Sequence, residues 1–302
     1  MLTFLTGVVL MPLCKHIEVS VIEIIHTIAK MQSYADQSRG KGNTIVLVPT
    51  MGYLHAGHLS LMKEGLKHGD DLVVSIFVNP TQFGPGEDLD TYPRDLVKDI
   101  ELVRKEGAKA LFTPDAKEIY GSHYQTCVAL DKLPDHLCGL SRPIHFKGVA
   151  TVVTKLFNVV KPHVAVFGQK DYQQFLVIGR MVEDLNFDIK IIGAPIIREP
   201  DGLAMSSRNS YLTPRQRICA LALYESLQNA RRLVKSGEKD ASKIIAAASG
   251  LIKSHPETTI DYIAVCNPET LDDVKIIEGP VLMALAVKVG TTRLIDNMIL
   301  KP

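Results

Sequence analysis

The stretch Pro49 to Leu59, Pro-Thr-Met-Gly-Tyr-Leu-His-Ala-Gly-His-Leu, constrains the fold of this chain more than any other. It follows the apolar β-formers Thr44 to Val48. It precedes Leu59, Met62 and Leu66, which fall at helical spacing, i, i+3 and i+7. The stretch therefore reads as a strand-to-helix turn carrying two glycines and two histidines. In an α/β sheet such a turn lies at the carboxyl edge of a strand, where ligands bind. The helix it opens directs unpaired N–H groups and the positive end of its dipole into the turn, which suits an anion. His55 and His58 can donate to phosphate oxygens, and Gly57 between them has no side chain to block approach. The same spacing also fits a metal pair or a solvated helix start, so these residues alone leave the choice open.

The pattern on either side is α/β. Apolar runs at 44–48, 72–78, 109–112, 163–167 and 189–192 read as strands. Helical periodicity is read at 17–34, 58–68, 95–106, 148–160 and after 171. Alternation of this kind predicts a Rossmann-like, doubly wound parallel sheet, and right-handed crossovers bring the strand-end loops to one edge. The loop after 72–78 offers Asn79 and Gln82 to that edge. The loop after 163–167 is Gly168-Gln169-Lys170-Asp171, with Lys170 able to reach phosphates and Asp171 able to accept from ribose hydroxyls. Gln174 lies one helical turn further on, facing the same opening. Arg142, His145 and Lys147 precede a helix; they are read as solvated loop charges unless an anion binds there.

The character changes near 194–198. Asp201-Gly202 marks a tight turn, and Met205-Ser206-Ser207-Arg208 gathers hydroxyl and guanidinium donors. Thr213-Pro214 already starts the next helix, leaving the serines free for another role. Helices at 214–236 and 240–254 and strands at 259–265 and 281–289 predict a smaller α+β unit. The expected organisation is an N-terminal extension over 1–16, a larger domain over 17–195 and a lid domain over 196–302.

The 302 residues are 46% hydrophobic, enough for two cores. A formal net charge of +1 gives no support for a nucleic-acid or anionic-membrane partner. Five scattered cysteines, without Cys-x-x-Cys spacing, suggest neither a disulfide framework nor a zinc site but free thiols in a cytoplasmic protein. Met1 to Cys14 is apolar, lacks a basic start and is broken by Pro12. With Met11 just downstream, it is expected to be a start-site extension or a disordered tail rather than a targeting segment.

The strings that carry these turns are longer than the turns themselves. Val48-Pro-Thr-Met-Gly with Leu54-His-Ala-Gly-His, Ile76-Phe-Val-Asn-Pro-Thr-Gln-Phe, Tyr92-Pro-Arg, Phe167-Gly-Gln-Lys-Asp-Tyr-Gln-Gln, Ser206-Ser-Arg-Asn and Arg293-Leu-Ile-Asp-Asn together resemble the pantoate–β-alanine ligase (pantothenate synthetase) family of the nucleotidyltransferase superfamily. The resemblance runs from about residue 17 to the end. It implies an ATP-dependent, AMP-forming ligase that joins pantoate to β-alanine through pantoyl-adenylate, with Mg²⁺, in a cytoplasmic homodimer.

The resemblance also implies residue roles. Met51, Gly52, Tyr53, Leu54, His55, Ala56, Gly57 and His58 would bind ATP, with His58 the family's proton donor. Gly168, Gln169, Lys170 and Asp171 would hold the nucleotide, Lys170 at phosphate and Asp171 at the ribose. Ile197 would lie near adenine. Met205, Ser206, Ser207 and Arg208 would close on the triphosphate. His55, His58, Lys170, Ser206, Ser207 and Arg208 form the expected catalytic set, and Gln82 and Gln174 would hold pantoate. No protein metal site is expected: Asp99 stands where some relatives offer an acidic residue, but its neighbours Lys98 and Leu102 do not complete a set. Two other functions fit parts of the pattern, a nucleotidyltransferase that leaves the nucleotide on its product and a nucleotide-binding module without catalysis.

Overall fold

Apolar runs without polar interruption cannot leave one face in water, so strands of this composition belong in a sheet covered on both sides. A computed structural model, which describes residues 22–302, arranges them so. The larger unit runs β1 (Glu23–Ile25), α1 (Ile28–Gly40), β2 (Ile45–Thr50), α2 (Ala56–Gly65), β3 (Asp71–Ile76), α3 (Leu96–Lys105), β4 (Ala110–Phe112), α4 (Ala116–Ile119), α5 (Leu137–Ser141), α6 (His145–Val160), β5 (Val164–Gly168), α7 (Tyr172–Asp184) and β6 (Lys190–Ala194). Its strands pair in parallel in the order β1-β4-β3-β2-β5-β6.

Successive residues of a strand point to opposite faces, and β2 shows the consequence. Ile45 and Leu47 pack with Met31 and Ala35 of α1, Val153 and Phe157 of α6 and Ile178 of α7. Val46 and Val48 pack with Leu61 and Met62 of α2 and Val103 of α3. All four β2 residues are fully buried, each such side chain stabilising the fold by about 1.5–3 kcal/mol relative to exposure. From β2 the chain winds outward through β3 to β4, which β1 flanks as the edge strand, whereas β5 and β6 lie on the other side of β2. The reversal at β2/β5 opens a crevice between their carboxyl-end loops, and those loops are 51–58 and 168–171.

The smaller unit has α8 (Pro214–Lys235), α9 (Ala241–Lys253) and an antiparallel sheet of β7 (Thr258–Cys266), β8 (Val281–Val289) and β9 (Thr292–Leu300). One face of that sheet packs on α8 and α9 through Met283, Leu285, Leu223 and Ile244. The other, through Cys266, Leu282 and Ala284, packs against Leu133, Leu137, Phe146 and Val177 of the larger unit. That second contact walls the crevice.

Three expectations need correction. The helix read at 17–34 begins instead at Ile28, where Thr27 caps it, and residues 23–25 form strand β1 beside β4. Strand β9 is absent from the sequence reading, although it pairs along its length with β8. Leu185, expected on the buried face of α7, is 50% exposed at that helix's end. The extension over 1–16, and the part of the first helix before residue 22, lie outside the described residues.

Candidate active site

The turn after β2 is held from below. Thr50 Oγ1 donates to Ser75 O and accepts from Gly52 N. Gly52 and Tyr53 both have positive φ, +82° and +50°, and the buried Asp99 fixes this bend by accepting from Tyr53 N at 2.8 Å and Leu54 N at 2.7 Å. Asp99 thus serves the backbone of the turn. His55 then caps α2: its Nδ1 accepts from Gly57 N at 3.1 Å, and His58 Nδ1 accepts from His55 N at 3.3 Å. The two rings stack with centroids 4.0 Å apart. Gly57 is required here because a Cβ would lie 2.8 Å from His55 Cε1.

This geometry decides the state of both histidines. A ring nitrogen that accepts from an N–H carries no proton, so each neutral ring holds its proton on Nε2. Burial lowers the His55 pKa to about 4, with Lys170 adding to the effect. Burial, then His55 and Lys170, lower that of His58 to about 3. Two uncharged Nε2–H donors therefore stand at the helix N-terminus.

Across the crevice, the turn after β5 brings Lys170 Nζ within 3.4 Å of Asp171. Burial pushes the Asp171 carboxyl up, but Lys170 outweighs it and the pKa falls below the usual value. Of the consecutive Gln173 and Gln174, Gln173 is absorbed structurally, accepting from Cys138 N and donating to Leu133 O and His136 O. Gln174 faces the cleft. Gln82 sits on a short 3₁₀ turn capped by Asn79. Asn79 Nδ2 donates to Gln82 Oε1 at 3.1 Å, which turns Gln82 Nε2 toward Met51 Sδ.

The segment before the smaller unit lines the cleft as well. Ser206 accepts from Arg208 N as the cap of a 3₁₀ turn, and Ser207 Oγ donates to Tyr53 O. Neither serine caps the helix that starts at Pro214, and both take part in the local frame of the cleft. Arg208 donates twice to Asp88 and lies over the Tyr92 ring.

Arg142 and His145 are also not solvated loop charges, in contrast to the reading from sequence. Arg142 pairs with Glu87 through two hydrogen bonds, and His145 is buried with Nδ1 against Gln82 O. Burial, then Arg142, lower the His145 pKa to about 4. Only Lys147 of that trio is exposed. Glu87 and Asp88, which sequence reasoning did not single out, bind both arginines. Burial would raise their pKa values, but Arg142 and Arg208 outweigh it.

The result is one cleft of about 940 Å³. Its walls include Met51, His55, Gly57, His58, Gln82, Gly168, Lys170, Asp171, Gln174, Ile197, Met205, Ser206, Ser207 and Arg208. Gly52, Tyr53, Leu54, Ala56 and Gln169 are not part of these walls: the backbones of Tyr53, Leu54 and Gln169 hold other segments, Leu54 is buried, and Ala56 is exposed outside the cleft. Among the described residues, no three or more His, Cys, Asp or Glu side chains converge as metal ligands. The cleft can bind a polyanion between neutral donors and cations, beside two amide side chains.

The sequence model of the family described as Pantoate-beta-alanine ligase matches residues 23–299. The pantothenate synthetase of Desulfatibacillum aliphaticivorans is 59% identical over 281 residues, 93% of this chain and 100% of that protein. The pantothenate synthetase of Thermotoga petrophila is 53% identical over 279 residues, 92% of this chain and 100% of that protein. The crystal structure of pantothenate synthetase from Thermus thermophilus has a TM-score of 0.89 at 40% identity, covering 93% of this chain and 100% of that one. Pantoate-β-alanine ligase from Francisella tularensis, complexed with beta-gamma ATP and β-alanine, has a TM-score of 0.76 at 33% identity, covering 92% and 98%.

Proposed function

The chain belongs to the pantoate–β-alanine ligase family, and from that premise we propose how its cleft carries the reaction. The protein is an ATP-dependent ligase that condenses pantoate with β-alanine to pantothenate, AMP and pyrophosphate. The observation that carries the assignment of roles is the meeting, at the β2/β5 reversal, of the His55–His58 pair, Lys170 and the two cleft-facing glutamines.

In the first half-reaction the pantoate carboxylate attacks the α-phosphorus of ATP. Pantoyl-adenylate forms as the bond to pyrophosphate breaks. Negative charge builds on phosphate oxygens, and fixed donors aimed there lower the barrier. The Nε2–H groups of His55 and His58, the N-terminus of α2, Lys170 and the Ser206–Arg208 segment are those donors. Their uncharged state leaves the histidines as hydrogen-bond donors until the nucleotide's charge arrives, which raises their proton affinity. Gln82, pre-aimed by Asn79, and Gln174 hold the pantoate hydroxyls and carboxylate. Asp171 accepts from the ribose, and Ile197 lies against the base. In the second half-reaction the neutral amine of β-alanine attacks the acyl carbon; AMP leaves with the C–O bond electrons, and the amine loses its proton.

Mg²⁺ would accompany the nucleotide, held chiefly by its phosphates, and would offset part of their charge beside Lys170 and Arg208. Asp99 is committed to two backbone N–H groups, and this supports a metal site without a carboxylate cage. The domain division near 195/196 is supported by the end of β6 at Ala194. A cytoplasmic homodimer, joined through the larger domain, completes the proposal, and sedimentation tests its dimeric state. Exchange of labelled pyrophosphate into ATP tests the adenylate: it requires pantoate and proceeds without β-alanine. Exchange that needs β-alanine contradicts it.

A further inference from the structure

Strand β9 breaks its alternation of buried and half-buried residues at Asp296 and Asn297. Asp296 and Asn297 are consecutive, polar and both buried, at 2% and 7% exposure. Burying two polar side chains is unfavourable unless their donors and acceptors are used, and the partners they use belong to the nucleotide-facing segments. Asp296 accepts from Arg198 Nη1 at 2.6 Å and Nη2 at 2.9 Å, and also from Asn297 N at 2.8 Å. Arg198 in turn donates to Gly202 O at 3.1 Å and lies 4.2 Å from the Tyr224 ring centroid. It starts a small hairpin in which Arg198 bridges Ala204 and Met205 N donates to Ile197 O. The next residues are Ser206, Ser207 and Arg208.

Asn297 reaches the opposite side. Its Nδ2 donates to Gln169 O at 3.0 Å and Lys170 O at 2.9 Å. An amide nitrogen has two hydrogens, and both are spent on the turn that presents Lys170. One strand of the smaller unit therefore grips two segments that are distant in sequence and that face each other across the cleft.

We propose that Asp296 and Asn297 are positioning residues that set the spacing between Lys170 and the Ser206–Arg208 segment for the nucleotide. The proposal rests on the reading of the ATP site given above. Asp296 fixes the root of the hairpin at Arg198 and Asn297 the backbone of the lysine turn, and both act through these partners. A displacement of about 1 Å at such groups is enough to weaken transition-state contacts strongly.

The test is Asn297→Asp, which keeps the shape, removes both donors and sets a carboxylate against two carbonyl oxygens. Expected is a loss of ATP affinity of about tenfold or more, with KM for β-alanine within about twofold of the parent. Asn297→Ser keeps one donor; it is expected to fall between parent and Asn297→Asp, and it carries the test if the latter does not fold. A general loosening of the fold would instead raise KM for all three substrates together, and that result overturns the proposal. So does unchanged ATP affinity in a folded Asn297→Asp or Asn297→Ser. Lys170→Ala, measured in parallel, separates the two readings. If it loses ATP binding while the Asn297 variants do not, the positioning role alone falls; if it too binds ATP normally, the ATP-site reading falls with it.

Discussion

Arg208 and Asp88 form a two-pronged ion pair, with both hydrogen bonds at 2.8 Å, between the Ser206–Arg208 segment and the loop after β3. The preceding residue, Glu87, makes the equivalent pair with Arg142 at the other side of the cleft. Arg208 is the group proposed to meet the triphosphate, so Asp88 is a competing anion for it. Asp88→Asn is expected to tighten ATP binding by roughly threefold to tenfold, the range of a partly exposed, charge-assisted pair. Arg208→Ala is expected to weaken it. Calorimetric titration with ATP checks both, and weaker binding by Asp88→Asn contradicts the competition.

The tautomers of His55 and His58 are fixed by backbone N–H groups that point at Nδ1. With pKa values of about 4 and 3, both rings are expected to stay neutral in the free protein down to about pH 5, with the proton on Nε2. Imidazole nitrogen chemical shifts recorded across pH 5–8 read this directly. A titration of either ring near 6.5 would contradict the burial argument.

The same depressed values set an acid response. Above pH 6.5 folded and unfolded histidines are alike neutral, and their contribution to stability is complete. As pH falls from 6.5 toward 4, His55, His58 and His145 bind protons in the unfolded chain but not in the folded one, so their stabilisation is lost. The melting temperature is therefore expected to decline between pH 6.5 and 4, before the lowered carboxylates Glu87, Asp88 and Asp171 begin to protonate. A flat melting profile over that interval would show that these rings are charged in the fold.

Removing donors and crowding the turn have separable effects. His58→Ala and Lys170→Ala are each expected to slow adenylate formation by more than about tenfold, roughly 1.4 kcal/mol; Lys170→Ala does so with little change in melting temperature, whereas His58→Ala also removes the acceptor of His55 N and lowers it. Gly57→Ala forces a methyl against the His55 ring and is expected to lower stability by about 1–3 kcal/mol as well as activity. Single-turnover quench and thermal melts distinguish the two kinds of change; full activity in Gly57→Ala would mean that the ring can move aside freely.

The sheet was legible because β2, β3 and β5 are buried on both faces and read as nearly continuous apolar runs. The site was legible where its residues sit in strand-end turns, as His55, His58 and Lys170 do. Strand β1 was not, because Ile24, Ile25 and Ile28 satisfy helical spacing although only three residues pair with β4. Strand β9 was hidden by Asp296 and Asn297, whose partners lie 98 and 127 residues away. Arg142 and His145 looked like loop charges for the same reason: Glu87 and the Gln82 carbonyl, 55 and 63 residues distant, reach them only in the folded chain. Local pattern carries backbone state, whereas these pairings depend on which loops the topology brings together.

The central claim is that one cleft first activates pantoate with ATP and then passes the acyl group to β-alanine. The measurement that tests it most directly follows pyrophosphate, AMP and pantothenate after mixing protein with ATP and pantoate, with and without β-alanine. Pyrophosphate released up to one equivalent per site without β-alanine, and AMP formed in step with pantothenate only when β-alanine is added, is the result predicted. AMP release at the same rate without β-alanine, or a nucleotide that stays on the final product, would contradict it.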